Sequence, residues 1–157
     1  MRKLHSFMFS PGKWLGEGKI HLNQFEEELS FFTRWTVQAE EEKEIECIQE
    51  IQVKGLSDIM VNHFRISLIE ASSFSLVMDN HAIGTVQGVG ILHEFAIGWE
   101  FRVPELGFEG FEYYEKESEE SYLMRGEFAT TDQLRTTLQG RIWKQKMPSS
   151  ENPCATE

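Results

Sequence analysis

The stretch from Phe9 to Leu22, FSPGKWLGEGKIHL, decides how the rest of the sequence is interpreted. Its residues alternate between two sides, which is typical of a β-strand. One side carries Trp14, Gly16 and Gly18 in succession. Glycines beside a large ring let a strand bend and let a neighbouring chain approach closely. The stretch therefore predicts a bent first strand whose Trp14 points inward and closes the base of a barrel.

The same alternation returns along the whole chain between short turn signals. Short connections make neighbouring strands antiparallel, and an open sheet of this size would leave two long exposed edges. We therefore predict an all-β fold, a closed antiparallel up-and-down β-barrel of about ten strands. The predicted strands are Trp14–Leu22, Leu29–Ala39, Glu44–Lys54, Ile59–Ile69, Phe74–Asn80, Ala82–His93, Phe95–Val103, Phe108–Lys116, Ser121–Phe128 and Leu134–Lys144.

Length and charge limit the classes of function. The 157 residues suit one domain, predicted over residues 1–147, with a flexible tail at 148–157 and the residues before Ser10 covering one barrel mouth. A formal charge of −11 opposes binding to nucleic acid or to an anionic membrane surface. No segment approaches the ~20 apolar residues of a membrane helix. Cys47 and Cys154 are expected as free thiols in a reducing compartment, which predicts a cytoplasmic protein.

The candidate ligand-binding residues are those that alternation places on the inner face. Two rows, Phe31–Thr33–Trp35 and Met60–Asn62–Phe64, are expected to face each other across a space that side chains do not fill. Polar residues in apolar rows would hold the polar part of a ligand, because buried polar groups need partners. A shift of one residue would instead put the polar members outside. The full set is Phe31, Thr33, Trp35, Gln49, Met60, Asn62, Phe64, His93, Tyr113 and Tyr122.

The sequence contains no motif that indicates a particular reaction. The five histidines show no spacing that converges on a metal, and no nucleophile elbow or phosphate loop is present. His93 is either an internal ligand or proton donor, or a partly buried structural residue. Cys47 is either a covalent attachment point or a small core residue. We therefore assign no catalytic residue and no metal ligand, and the cofactor stays unknown.

Gly12, Lys13 and Trp14 form a Gly-x-Trp motif that resembles the first strand of the calycins, the lipocalins, fatty-acid-binding proteins and their relatives. The longer GKWLGEGKI is similar to the nitrobindin branch. The resemblance implies a ligand-holding barrel and a basic residue of the last strand packed across the Trp14 ring. Arg141 is the best match for that residue and Arg135 the second. Nitrobindins hold haem through a C-terminal histidine, which this chain lacks after His93; if haem binds at all, His93 or His63 is the candidate ligand.

Three functions remain open at this point. The first is a barrel that binds a small hydrophobic or amphipathic ligand in its interior, without enzymatic activity. The second is a lyase or isomerase of the same fold that acts on a tetrapyrrole or a lipid. The third is a structural or interaction barrel filled by its own side chains, for which the twelve Phe residues would suffice. Self-association to a homodimer also stays open.

Overall fold

The computed structural model describes residues 2–146 and consists almost entirely of β-strands. The ten predicted segments correspond one to one with ten strands, so the predicted strand count is confirmed. Two single turns of 3-10 helix, Arg2–Leu4 and Pro104–Leu106, complete the regular structure. The strands are β1 (Gly12–Leu22), β2 (Glu28–Val37), β3 (Ile45–Val53), β4 (Ile59–Ser67), β5 (Ser73–Asn80), β6 (Gly84–His93), β7 (Ala96–Val103), β8 (Phe108–Ser118), β9 (Ser121–Ala129) and β10 (Arg135–Lys144).

The sheet is closed. Each strand pairs antiparallel with the next, and β1 pairs with β10 to complete the barrel, which confirms the predicted fold class. In the closing pair Trp14 lies opposite Lys144 and Gly18 lies opposite Gly140. Closure gives every strand a hydrogen-bonding partner on both sides, so no edge is left to pair with another chain.

The two ends of the barrel differ. The connections β1–β2, β3–β4, β5–β6, β7–β8 and β9–β10 lie at one end, which we call the open end. The other four connections lie at the opposite end, called the plugged end, because the residues before β1 enter it. There His5 is 2% exposed and Phe7 and Met8 are fully buried. The prediction that the residues before Ser10 cover a mouth is therefore confirmed.

Aromatic side chains fill the plugged half. The Phe7 ring lies 5.2 Å from the Trp14 ring and 5.0 Å from the Tyr114 ring, measured between centroids. Trp35 contacts Phe64 at 5.2 Å and Trp99 at 5.9 Å. The unfilled space expected between the Phe31–Thr33–Trp35 and Met60–Asn62–Phe64 rows is therefore wrong at the level of Trp35 and Phe64, where the rings close it.

Two glycines of the opening stretch permit close packing. A Cβ atom added at Gly18 would lie 2.8 Å from the Gly140 Cα and 2.8 Å from the Phe31 Cε2. A Cβ atom at Gly16 would lie 2.7 Å from methyl groups of Ile142 and Thr33. Neither position can hold a side chain without displacing its neighbours. Glycine is therefore required where the side chains and backbone of β2 and β10 approach β1 this closely.

The predicted contact between Arg141 and Trp14 is wrong. Arg141 lies on the outer face of β10, where its guanidinium forms a two-pronged ion pair with Glu117 at 2.9 and 3.1 Å. Arg135 is also outside, paired with Glu127 at 2.9 Å. Phe7 and Tyr122 cover the Trp14 ring instead. Alternation explains the difference, because inward Ile142 places both of its neighbours outside.

The proposed tail at 148–157, with Cys154, lies outside the described residues, as does the domain boundary at 147. Within residues 2–146 no helix is long and apolar enough to cross a membrane.

Candidate functional site

The inner face at the open end is apolar and reached by solvent. Six inward side chains there are only half-buried and pack on the core below: Ile20, Leu29, Ile51, Val103, Phe128 and Leu138. Exposed apolar residues surround them on the rim, where Phe25, Leu56 and Leu106 are 60%, 58% and 49% exposed. At the plugged end the inward residues are buried, although Leu68 and Phe95 in its connections are 73% and 62% exposed. The structure therefore leaves one apolar mouth.

Four buried polar atoms, which we call the polar layer, lie deeper in the interior and make no hydrogen bond of normal distance and angle, although the Trp35 indole is near enough to the Tyr114 hydroxyl to lower the pKa of that group against the larger rise that burial causes. Among residues 2–146 the buried side-chain atoms that make no hydrogen bond are Thr33 Oγ1 and the indole nitrogens of Trp14, Trp35 and Trp99. Most buried polar groups in proteins are satisfied by protein atoms or by water, so a group of unsatisfied ones needs an explanation. Trp35 and Trp99 contact each other, which brings two of these indole groups into one region of the interior.

Glu112 is a buried carboxyl group next to that region. It is 6% exposed and accepts a hydrogen bond of 2.5 Å from the Tyr114 hydroxyl. It lies opposite Trp99 on β7 and Gly126 on β9. Burial raises the pKa of Glu112 to about 7, and the bond from Tyr114 acts in the opposite direction with less effect. Burial also raises the pKa of Tyr114 well above its ordinary value. This pair could hold or donate a proton near neutral pH.

Three amide side chains form a ladder on the opposite wall. Asn80 Nδ2 donates to Asn62 Oδ1 at 2.5 Å, and Asn62 Nδ2 donates to Gln49 Oε1 at 2.9 Å. These residues face one another across β5, β4 and β3. Gln49 is 2% exposed and lies opposite Trp35 on β2. The ladder therefore runs from the open end to the polar layer.

Most of the predicted inner-face residues are buried in the interior. Seven of the ten are buried: Phe31, Thr33, Trp35, Gln49, Asn62, Phe64 and Tyr122. Met60 follows the same alternation as Asn62 but lies at the rim, where it is 48% exposed. The structure thus brings Trp35, Gln49 and Asn62 side by side on β2, β3 and β4. Trp35 and Tyr122 both contact Phe7 of the plug.

Two predicted residues lie on the wrong face. Tyr113 is outside, where the Arg125 guanidinium covers its ring at 4.9 Å, and it is Glu112 and Tyr114 that point inward. His93 is exposed, because the inner face of β6 carries Val86, Gly88, Gly90 and Leu92. His63 is exposed as well, so neither candidate haem ligand faces the interior.

Sequence reasoning did not select His5 or Glu112. His5 contacts the Tyr122 hydroxyl at 2.7 Å and the His93 carbonyl oxygen at 2.6 Å, which ties the N-terminal segment to the barrel. The sequence feature that could have indicated a role for His5 is that it is a single histidine next to an apolar stretch. Cys47 is 1% exposed, and burial raises the pKa of its thiol to about 12, so little reactive thiolate forms. In residues 2–146 no three His, Cys, Asp or Glu side chains gather at one point as metal ligands would.

The fold and interior together define a closed barrel with one apolar mouth. No family model matches the chain, and no curated protein matches it by sequence. Its structure is similar to that of the S-type phycobiliprotein lyase CPES from Guillardia theta, with a TM-score of 0.66 and 10% identity over 88% of this chain and 90% of the other. It is also similar to Rv2717c from M. tuberculosis, with a TM-score of 0.68 and 12% identity over 87% and 92%. These likenesses concern the barrel fold, and they are consistent with the calycin resemblance.

Proposed function

We propose that this protein binds a small hydrophobic or amphipathic molecule that enters through the open end. The proposal rests on two observations together: half-buried apolar side chains surround the open end, and the polar atoms of Thr33, Trp35 and Trp99 lie unpaired deeper in the interior. An apolar cavity with a few convergent polar groups is the usual form of a ligand site. The apolar part of the ligand would cover the mouth, and its polar part would bind the layer.

Binding can be tested with a fluorescent fatty acid and a pair of matched variants. Leu138→Trp adds volume to the inner face of β10 and should weaken binding at least tenfold. Leu123→Trp makes the same change on the outer face of β9 and should leave the affinity unchanged. If no apolar probe binds the folded protein at micromolar concentration, the proposal fails, and a barrel filled by its own side chains takes its place.

A lyase or isomerase acting on a tetrapyrrole or a lipid is the second candidate. Glu112 and Tyr114 favour it, because a buried carboxyl group with a pKa of about 7 suits proton transfer at neutral pH. The lyase named above has a similar barrel. Incubation with biliverdin, followed by chromatography, tests this candidate. A new product that wild type forms and Glu112→Gln does not would support an enzyme, whereas an immediate spectral change without a product would indicate binding alone.

We also propose a cytoplasmic location and no nucleic-acid partner. The net charge of −11 disfavours contact with polyanions, and the buried Cys47 thiol suits a reducing compartment. Whether the chain forms a homodimer is measured by sedimentation at micromolar concentration.

A further inference from the structure

The orientation of the amide ladder is determined by the backbone. Asn80 Oδ1 accepts from the backbone N–H groups of Ala82 and Ile83 at 2.7 and 3.2 Å. A backbone N–H can only donate, so the Asn80 oxygen must face the β5–β6 turn and its nitrogen must face Asn62. Because Asn80 presents its nitrogen, Asn62 must present its oxygen to Asn80 and its nitrogen to Gln49, and Gln49 must present its oxygen to Asn62. The oxygen and nitrogen positions, which are often ambiguous in amides, are settled here by the anchor.

The inner end of the ladder is a donor. Gln49 accepts from Asn62 through Oε1, which leaves its NH₂ group at the end of the ladder. None of the side-chain hydrogen bonds within residues 2–146 has this NH₂ group as donor, and the group is not among the fully buried atoms without a partner, so it is open to water or to a ligand. Trp35 lies opposite Gln49 on β2, and neither its indole N–H nor the hydroxyl of Thr33 on the same strand makes a hydrogen bond of normal geometry. A ligand that reaches this wall therefore meets several hydrogen-bond donors.

The packing of the barrel does not explain why polar residues occupy these positions. The next pairs along β3 and β4, Cys47 opposite Phe64 and Ile45 opposite Ile66, are apolar and buried. Two amide groups in this row lose hydration that their mutual hydrogen bond only partly offsets, so the pair is unfavourable unless something else uses it. Ordered water would meet the need in the empty barrel, and a ligand oxygen would meet it in the complex.

We propose that Gln49 is the residue that selects the ligand, by donating to a carbonyl-type oxygen, and that Asn62 and Asn80 are positioning residues that fix its direction. This inference rests on the proposed ligand-binding function and specifies which chemical group of the ligand is recognised. The ligand carries an acceptor oxygen, as in an ester, ketone, amide or carboxylic acid, at the end that enters first. Specificity arises because a ligand without that oxygen leaves buried donors unpaired.

Three probes of similar length measure this selectivity: methyl dodecanoate as acceptor, dodecylamine as donor, and tridecane as neither. Each is titrated by displacement of a bound fluorescent dye. Wild type should bind the ester about tenfold tighter than tridecane, as one net hydrogen bond implies. Gln49→Met should remove that advantage and leave tridecane binding unchanged. Gln52→Met, on the exposed face of the same strand, is the matched control and should change nothing.

The most decisive variant changes Asn80, at the outer end of the ladder and away from the proposed ligand. Asn80→Asp keeps an oxygen for the Ala82 and Ile83 N–H groups but has no NH₂ to offer Asn62. Asn62 must then turn its nitrogen toward position 80 and its oxygen toward Gln49, so Gln49 presents its oxygen to the ligand. The preference should move from the ester toward dodecylamine by about tenfold or more. Asn23→Asp adds the same charge at the open end outside the ladder, and it should leave the preference unchanged.

The outcomes separate this inference from the proposed function. If none of the three probes binds, the ligand-binding function itself fails. If tridecane binds as well as the ester, or if the ester keeps its advantage in Gln49→Met and Asn80→Asp, binding stands and the role of Gln49 is refuted. Should Gln49→Met not fold, Asn80→Asp decides alone, since residue 80 is only half-buried.

Discussion

At the residue scale, the Glu112 carboxyl group links the interior to pH. In an unfolded chain this group releases its proton near its ordinary pKa of 4.5, whereas in the barrel it holds the proton up to about pH 7. Between these values the unfolded state is the one that loses the proton, so rising pH favours unfolding. Within residues 2–146, Tyr114 is the titratable side chain that acts on its pKa. The inner faces of β7 and β9, which pack against it, carry no charged residue.

We therefore expect Glu112 to lower the stability of the wild type as pH rises from 4.5 through 7. The shift corresponds to about 3 kcal/mol at the usual energy per pKa unit. Glu112→Gln should remove this dependence, and Glu109→Gln, exposed on the same strand, should not. Urea unfolding at pH 5 and pH 8 measures the difference. Burial lowers the pKa of His5, which acts in the acidic range on all three proteins alike. Parallel pH profiles for the wild type and Glu112→Gln would contradict the assignment.

Trp14 belongs to the same scale. It is fully buried between Phe7 and Tyr122, and its removal leaves a large cavity that these rings cannot close. Trp14→Ala should lower the free energy of unfolding by roughly 3–5 kcal/mol. Trp143→Ala, on the outer face of β10, should lower it by much less. Chemical denaturation compares the two, and equal losses would show that Trp14 has no special place in the fold.

At the scale of the element, β1 and β8 show what could be predicted and what could not. In β1 the apolar residues and glycines agree on one inner face, so Trp14, Gly16 and Gly18 were assigned correctly. In β8 the segment FEGFEYYEKES permits either face, and burying Glu112 is unfavourable because a carboxyl group loses hydration. Glu112 is nevertheless on the inner face, because Phe108 and Tyr114 on the same face of β8 pack into the interior. A partner for the acid, the Tyr114 hydroxyl, lies two residues away but is visible only in three dimensions.

The N-terminal segment is the second element with a clear consequence. Phe7 contacts four rings of the barrel, so it acts as the centre of the plug. Phe7→Ala should lower stability by roughly 3–5 kcal/mol and weaken the near-ultraviolet circular dichroism of the buried rings. Phe25→Ala, at an exposed position on the rim, serves as the control. A Phe7→Ala protein with unchanged stability and spectrum would mean that the segment only rests on the barrel.

At the scale of the whole molecule, closure makes the strands interdependent. Each strand is paired on both sides, and the pair β1–β10 joins the two ends of the chain. Trp14, Trp35 and Trp99 lie in one aromatic cluster, so loss of any part of the barrel exposes them. The fold class followed from alternation because ten antiparallel strands with short connections have few other arrangements. The proposed ligand chemistry did not follow from alternation, since it depends on which amide atoms face inward.

Unfolding should accordingly occur in one step. In urea, tryptophan fluorescence, near-ultraviolet and far-ultraviolet circular dichroism should give the same midpoint, because small single domains unfold cooperatively. A fluorescence change that precedes the loss of β-structure would show that the plug leaves the barrel as an independent unit.

The position of residues 2 and 146 has a practical consequence. Both lie at the plugged end, where the Gln145 N–H donates to the Lys13 carbonyl oxygen at 2.8 Å. An affinity handle joined directly at residue 2 or at residue 146 would therefore leave from the side of the barrel away from the open end. Immobilised on a sensor chip through such a handle, the protein would present its open end to the flowing solution. Capture through either position should then give the same curve for a probe that enters at the open end.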